Sequence, residues 1–246
     1  MSALVTGMGW LTAAGLGQGR RDAFSLACGA LPEVRRQDLF AEHPRFGRMD
    51  AYCKAGLAGV VMALRDAGLE GPLGESAGLA ATTCVGCLRT DLDYFATAMQ
   101  GPILASPNLF AFTLPTSIVA EAAICFGLRG PTCMLHEPQA FGLTGVRAGL
   151  EALEFGEAEL MLAGACDVPA LDWPCGQGPA GSIFLVLESE RRAQGRQAYG
   201  RLLLDSDTVA LDAESSREPQ DSLPDLVRRL LNFSISSAPR RKPVGE

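Results

Sequence analysis

The stretch that decides the fold runs from Phe126 to Asp167 and reads FGLRGPTCMLHEPQAFGLTGVRAGLEALEFGEAELMLAGACD. A short apolar run after Gly130-Pro131 predicts a strand over Cys133–Glu137, and the helical spacing of the next apolar residues predicts a helix over Ala140–Phe155. A strand that delivers the chain through a sharp turn to a helix N-terminus suits a nucleophile. The helix dipole and the free amides there lower a thiol pKa and hold an oxyanion.

Short apolar runs alternate with helical patterns along the first 205 residues. This alternation predicts an α/β fold with a mainly parallel sheet and helices on both faces. The predicted strands are Ala3–Met8, Gly78–Thr83, Cys133–Glu137, Glu159–Ala165 and Ser182–Glu188, and the predicted helices are Asp50–Ala67, Leu88–Met99 and Ala140–Phe155.

The character of the chain changes at Ser206, where acidic residues are spaced through Ser, Thr, Pro and Gln. We therefore divide the chain into a domain over residues 1–205 and a polar tail over 206–246. The tail contains one short amphipathic helix, Leu223–Phe233, which we expect to be ordered only if something holds it.

Composition excludes several classes of partner. The 246 residues carry 21 basic and 28 acidic side chains, a net charge of −7, which disfavours nucleic acid because phosphate binding needs a basic surface. No apolar run approaches the roughly 18–20 residues that cross a bilayer, so no membrane partner is expected. No Lys or Arg precedes the first apolar stretch, so no signal peptide is predicted. These features are typical of a cytoplasmic protein.

Neither a metal nor a cofactor is expected from the motifs. Cys84 and Cys87 have the Cys-x-x-Cys spacing, but no second pair follows at zinc-ribbon distance, and the two histidines, His43 and His136, are not paired at ligand spacing. Gly7-Met8-Gly9 lacks the third glycine of the dinucleotide pattern. The eight cysteines are interpreted as small core side chains.

Several segments, taken in order, resemble the N-terminal half of a β-ketoacyl-acyl-carrier-protein synthase, in the thiolase-like superfamily. The resemblance covers about residues 3 to 205. Its segments are Val5–Gly9, Arg48–Asp50, Ala63–Leu69, Ser106-Pro107, Thr113–Pro115, Phe126–Pro131 and Ala163–Asp167.

Two departures from the family pattern shape the expected function. Aligning Gly130-Pro131 places Gln139 where the family has its acyl-accepting cysteine, and an amide is not a nucleophile. The family's second half, with the histidines that drive decarboxylation of the malonyl group, has no counterpart here. Glutamine at this position resembles the chain-length factors of type II polyketide synthases, which pair with a catalytic synthase. Half-length versions accompany synthases in some bacterial polyene-type systems.

The resemblance also implies which residues shape an acyl tunnel and an interface. Val85 lies in a loop that lines the acyl pocket in the family, and Phe141 follows the turn at a position where its bulk would plug the local cavity. The strand Cys133–Glu137 matches the one that pairs edge to edge in the family dimer. The residues expected at the tunnel or interface are Val85, Leu109, Phe110, Phe112, Thr113 and Phe141. Phe110 and Phe112 could equally be ordinary core aromatics.

The predicted function is that of a non-catalytic, chain-length-factor-like subunit in fatty-acid or polyketide elongation. It would pair with a catalytic synthase and meet an acyl carrier protein through that complex. Two alternatives stay open. One is a stand-alone acyl-thioester binding or scaffold protein, as a homodimer. The other is a residual malonyl decarboxylase or hydrolase that uses Glu137 or His136.

Overall fold

The computed structural model describes residues 2–168, 179–206, 208–213 and 216–233. The described strands are β1 (Ser2–Thr12), β2 (Gly15–Gln18), β3 (Ala77–Thr83), β4 (Thr132–His136), β5 (Leu160–Asp167), β6 (Gly181–Glu188), β7 (Gly200–Asp205), β8 (Thr208–Ala213) and β9 (Ser216–Pro219). The described helices are α1 (Arg36–Leu39), α2 (Ala51–Asp66), α3 (Leu88–Ala98), α4 (Pro107–Phe110), α5 (Ser117–Phe126), α6 (Thr144–Glu154) and α7 (Leu223–Phe233), with a 3₁₀ turn at Phe46–Arg48.

The described strands form one mixed sheet in the order β4-β3-β5-β6-β1-β7-β8-β9, and β2 pairs with β1. The predicted α/β class is confirmed. Parallel pairing is confined to β3 with β4 and β5, so the sheet is less parallel than the alternation predicts. The reason is visible after β5. Strand β6 runs antiparallel to β5, and the two residues that separate β7 from β8, and β8 from β9, are too few for a parallel crossover.

Helices cover both faces of the sheet, and each face has its own core. Helices α2 and α5 pack into the first core with β3 and β5, and helices α6 and α7 pack into the second with β1, β6 and β7. Asp50 begins α2 by accepting a hydrogen bond from the Cys53 N–H at 2.8 Å. Helix α2 lies very close to β1 because Gly9 has no side chain, and a Cβ there would overlap the Ala63 backbone.

The segment predicted to be a polar tail contributes strands and a helix to the fold up to residue 233. Strands β8 and β9 extend the sheet beyond β7. Helix α7, predicted with the same bounds, buries its apolar side chains fully in the second core: Leu223, Leu226, Val227 and Leu230. Residues 207, 214–215 and 234–246, which include the predicted basic run Arg240–Lys242, lie outside the described residues. The division at residue 205 stays a prediction.

Two elements have bounds that differ clearly from the predicted ones. Helix α6 begins at Thr144 rather than Ala140, because residues 137–143 form a turn. Strand β1 extends to Thr12 instead of ending at Met8. Among the described residues, none of the helices combines the length and apolar character needed to span a bilayer.

Candidate functional site

The turn between β4 and α6 forms a strained elbow. The Glu137 N–H donates to the Thr83 carbonyl at 3.0 Å, which continues the pairing of β4 with β3 by one residue. Four residues on, Phe141 has a φ of 58°, a left-handed conformation that is rare for a bulky side chain. The chain thus makes the sharp change of direction that the sequence predicts between this strand and this helix.

The Glu137 carboxylate occupies the N-terminus of α6. Its Oε2 accepts a hydrogen bond from the Thr144 N–H at 3.3 Å, and Gly142 lies so close that a Cβ there would overlap the carboxyl group. A helix N-terminus carries a partial positive charge and free amides, which stabilise an anion. In this protein that anion is supplied by the chain itself.

The two other notable residues of the elbow face different surroundings. Gln139 is exposed. The Phe141 side chain is buried in the second core, and its carbonyl accepts a hydrogen bond from the Leu223 N–H at 3.0 Å, where α7 begins. The first residue of α7 therefore holds the elbow in place, and the Phe141 ring fills part of the second core. Its predicted place in an acyl tunnel stays a prediction.

The loop after β3 is held by one buried carboxylate at the end of β5. Asp167 Oδ1 accepts hydrogen bonds from Thr83 Oγ1 at 2.9 Å, from the Cys84 N–H at 2.8 Å and from the Val85 N–H at 2.9 Å. Thr83 Oγ1 in turn accepts from the Gly86 N–H at 2.7 Å. Burial raises the pKa of Asp167, and these hydrogen bonds oppose the rise. Val85 is half-buried on the fixed loop.

This loop also contacts the elbow. Cys84 Sγ donates to the carbonyl of Pro138 at 3.3 Å, so the predicted pocket loop and the turn with Gln139 lie side by side. The sequence places these two segments more than fifty residues apart, and the parallel pairing of β3 with β4 brings their ends together.

Five of the described cysteines lack the environment of an activated thiol. Burial is the main reason why the thiol pKa rises to about 12 at Cys87 and to about 11 at Cys125. Burial also raises the thiol pKa of Cys53, Cys133 and Cys166. The thiolate is the reactive form. Cys175 lies outside the described residues. Cys53, Cys87 and Cys166 are buried as predicted, whereas Cys28 is exposed, so its predicted role as a core side chain is wrong.

The residues predicted around α4 separate into core and surface. Phe112 is 9% exposed and packs in the first core, whereas Phe110 is 62% exposed and contacts the Tyr94 ring at a centroid distance of 5.4 Å. Leu109 and Thr113 are half-buried, and Thr113 Oγ1 donates to the Phe110 carbonyl at 2.9 Å. The sequence left open whether these two phenylalanines are core residues. Phe112 is a core residue, and Phe110 is a surface residue.

Phe110 belongs to a wide apolar surface. Large hydrophobic side chains are exposed along α3, α4 and the segments that join and follow them; we call this the α3–α4 apolar surface, and its members are Leu92, Phe95, Met99, Ile103, Leu104, Phe110 and Leu114. Surfaces of this kind mark sites of protein association. Strand β4, in addition, is the last strand at one edge of the described sheet and pairs with β3 alone. Its inner residues are only half-buried.

The model of the β-ketoacyl synthase N-terminal domain matches residues 32–200. The chain belongs to the β-ketoacyl synthase family. The match includes the elbow, the loop after β3, the α3–α4 apolar surface and part of each core, whereas β1 and α7 lie outside it. The predicted resemblance to a ketoacyl synthase of thiolase-like fold is confirmed at this level.

Curated relatives are similar to the chain over part of its length. The 3-oxoacyl-[acyl-carrier-protein] synthase 2 of Vibrio cholerae is 28% identical over 123 residues, which is 49% of this chain and 30% of the relative. The tetracenomycin polyketide synthase ketoacyl synthase alpha subunit of Streptomyces glaucescens is 33% identical over 117 residues, 44% of this chain and 27% of the relative. The chain matches less than half the length of these relatives.

Solved structures share the fold. The ishigamide ketosynthase/chain length factor superimposes with a TM-score of 0.66 at 19% identity, covering 82% of this chain and 62% of that one. A type II polyketide ketosynthase bound to its acyl-carrier protein, AntDE:AntF, superimposes with a TM-score of 0.61 at 18% identity, covering 82% and 67%. At these identities the likeness concerns the fold alone.

Two residues that organise this site were not singled out from the sequence for these roles. Asp167 appeared only as the end of a family motif, and Glu137 only as a base in an alternative function. A signal existed for each: both acids end apolar strands that are neighbours of β3. What the pattern could not show is that one carboxylate holds the loop after β3 and the other the start of α6.

Proposed function

We propose that this chain is a non-catalytic, chain-length-factor-type subunit that pairs with a catalytic β-ketoacyl synthase in fatty-acid or polyketide elongation and shapes its acyl tunnel. The observation that carries this proposal is the elbow. Gln139 stands where the family resemblance implies a nucleophilic cysteine, and the Glu137 carboxylate occupies the helix end that would activate one.

Chemistry at this elbow is disfavoured on two counts. An amide side chain cannot form the acyl-enzyme that condensation requires. A carboxylate on the first N–H of α6 also repels a second anion, whether a thiolate or the oxyanion of a tetrahedral intermediate. The condensation itself is therefore assigned to a partner subunit with its own cysteine and histidines.

Two surfaces support pairing with such a subunit. The outer edge of β4 leaves backbone donors and acceptors available to a strand of another chain. The α3–α4 apolar surface supplies exposed hydrophobic area of the kind that a permanent interface needs, and such an interface typically buries about 2,000 Å² or more. Phe110, with its ring mostly exposed, is the member most suited to enter a partner.

The tunnel role is assigned to residues on fixed backbone. Val85 is held through its own N–H by Asp167, and Thr113 is held by its hydroxyl on the Phe110 carbonyl. Rigid positions of this kind can set the length of an acyl chain, since they cannot move aside for a longer one. The acyl carrier protein would be bound mostly by the partner.

The first alternative, a stand-alone acyl-binding homodimer, would use the same two surfaces. The two hypotheses therefore differ in the identity of the partner. The decarboxylase or hydrolase alternative is less well supported, because the Glu137 carboxylate is engaged by the Thr144 N–H and His136 is exposed at the end of β4. A general base needs a free lone pair aimed at its substrate.

The test is a tagged pull-down from native cells, with the intact complex weighed by native mass spectrometry. We expect a one-to-one complex with a protein of synthase size whose cysteine is labelled by acyl groups. Phe95→Asp should dissociate the complex, because the side chain is 61% exposed on the α3–α4 apolar surface. The matched control is Phe155→Asp, at the end of α6, where the side chain is 73% exposed outside that surface.

A homodimer broken by Phe95→Asp would favour the acyl-binding alternative instead. Acylation of this chain itself by an acyl or malonyl carrier protein would contradict the non-catalytic role. Equal effects of the two aspartate substitutions would remove the α3–α4 apolar surface from the interface.

A further inference from the structure

Three metal-ligating side chains meet on the first-core side of the fold, on elements that the elbow does not use. Glu121 and Cys125 lie one turn apart on α5, and His43 reaches them from the segment between α1 and the 3₁₀ turn. His43 Nε2 is 3.1 Å from Cys125 Sγ, and one ligand atom from each residue lies within 4.8 Å of the other two. All three residues are half-buried.

We propose that His43, Glu121 and Cys125 bind a zinc ion. An imidazole nitrogen, a thiolate and a carboxylate oxygen are the donors that Zn²⁺ takes in proteins, and three protein ligands leave a fourth position for water. With Zn–N and Zn–S bonds of about 2.0 and 2.3 Å, two ligands of a tetrahedral site lie about 3.5 Å apart. The His43 Nε2 to Cys125 Sγ distance of 3.1 Å is close to that value, and the three ligand atoms all lie within 4.8 Å of one another.

The position of His43 suits a ligand more than an ordinary core histidine. Its ring is held between Phe40 and Phe46, at centroid distances of 5.0 and 6.0 Å. Nδ1 is buried and has no hydrogen-bond partner among the described residues. The ring therefore makes its polar contact through Nε2, on the side where Glu121 and Cys125 lie. His43 thus presents Nε2 to the two other candidate ligands, as a zinc ligand would.

Charge at the site also balances with a metal bound. Zn²⁺ on the Cys125 thiolate and the Glu121 carboxylate gives a neutral group, with the thiol proton released to solvent. Without metal, Arg45 neutralises Glu121 through an ion pair of 2.8 Å. The Arg45 side chain is 47% exposed, so it can turn into water when the ion enters. Arg45 thus competes with the metal for the same carboxylate.

Bound zinc would join two pieces of chain that are distant in sequence. The segment with His43 leads directly into α2, and α5 packs against α2 in the first core. A bond from this segment to α5 therefore stabilises the fold on the side opposite α6 and α7. Binding is independent of the proposed pairing with a synthase, because none of the three ligands belongs to the elbow or to the α3–α4 apolar surface.

The test uses the full chain, freed of metal and kept reduced, titrated with Co²⁺ and then with Zn²⁺. We expect one equivalent of Co²⁺ to produce thiolate-to-cobalt charge-transfer absorption that Zn²⁺ removes. Cys125→Ser should abolish this absorption, and His43→Gln should weaken zinc binding by more than about tenfold. Arg45→Gln should tighten zinc binding, since it removes the competing cation.

The matched controls are Cys28→Ser, an exposed cysteine, and Cys84→Ser, from the Cys-x-x-Cys pair. Both should keep the absorption. The proposal is overturned if the wild-type chain shows no charge-transfer absorption, if Cys125→Ser retains it, or if Cys84→Ser loses it. Zinc should also raise the melting temperature of the wild-type chain and of Cys28→Ser but not of Cys125→Ser. Equal shifts in all three would contradict the site.

Discussion

Replacing Asp167 by alanine tests whether one carboxylate holds the loop that carries Val85. The substitution removes the acceptor of three hydrogen bonds, from Thr83 Oγ1 and from the N–H groups of Cys84 and Val85. Cys84 and Val85 are half-buried, so water can reach part of the loop and each lost bond costs about 1 kcal/mol rather than the higher value of a fully buried donor. The expected loss of unfolding free energy is about 3 kcal/mol.

The assay is urea unfolding followed by circular dichroism, with hydrogen exchange of the loop amides measured by mass spectrometry. For a chain of this length a loss of 3 kcal/mol corresponds to a fall in melting temperature of about 6–12 °C. Asp167→Asn keeps an acceptor oxygen and should cost about 1 kcal/mol. The control Asp205→Ala, at an exposed position that ends β7, should stay within about 0.5 kcal/mol of wild type.

The reasoning is refuted if Asp167→Ala loses less than about 1 kcal/mol, or if the amides of residues 84 and 85 exchange at the wild-type rate. Either result would mean that packing of β3 and β5, and not the carboxylate, holds the loop. A loss equal to that of Asp205→Ala would lead to the same conclusion. The Val85 position would then lack the rigidity that its tunnel role requires.

Three further predictions concern the elbow, the tunnel and the response to pH. Gln139→Cys should gain no acylation by malonyl or acyl carrier proteins, because Glu137 occupies the end of α6; radiolabel transfer to the variant would contradict this. Val85→Trp in the complex should shorten the products, by mass spectrometry, with little change in the partner's acylation rate; unchanged length would remove Val85 from the tunnel. Burial raises the carboxyl pKa above 3.8 in the folded chain at four positions, so their contribution to stability falls as pH rises through the folded pKa values. Urea midpoints should therefore rise as the pH falls from 7 through the folded pKa values towards 3.8, and less steeply in Asp167→Asn. A flat profile would refute the assignment of these carboxyls, which are Asp50, Asp66, Asp91 and Asp167.

Much of the fold could be predicted because its strands and helices carry strong local patterns. Helix α7 has the predicted bounds, since its apolar residues recur at helical spacing between polar neighbours. The start of α6 was misplaced by four residues, because Ala140 and Phe141 are apolar yet belong to a turn. The sequence pattern also could not predict where α7 packs. Only packing shows that four of its leucine and valine side chains complete the second core.

For the candidate site, too, the sequence predicts some features, and only the tertiary structure shows the others. The sequence alone determines that residue 139 is glutamine and that the chain is acidic, and its periodicity predicts an α/β domain. Tertiary structure decides what each side chain contacts. Phe110 and Phe112 are two residues apart, yet one is exposed and one is core. Glu137 reaches the end of α6, and His43 reaches a cysteine 82 residues away. Such contacts depend on the crossing of strands and helices, which local periodicity does not encode.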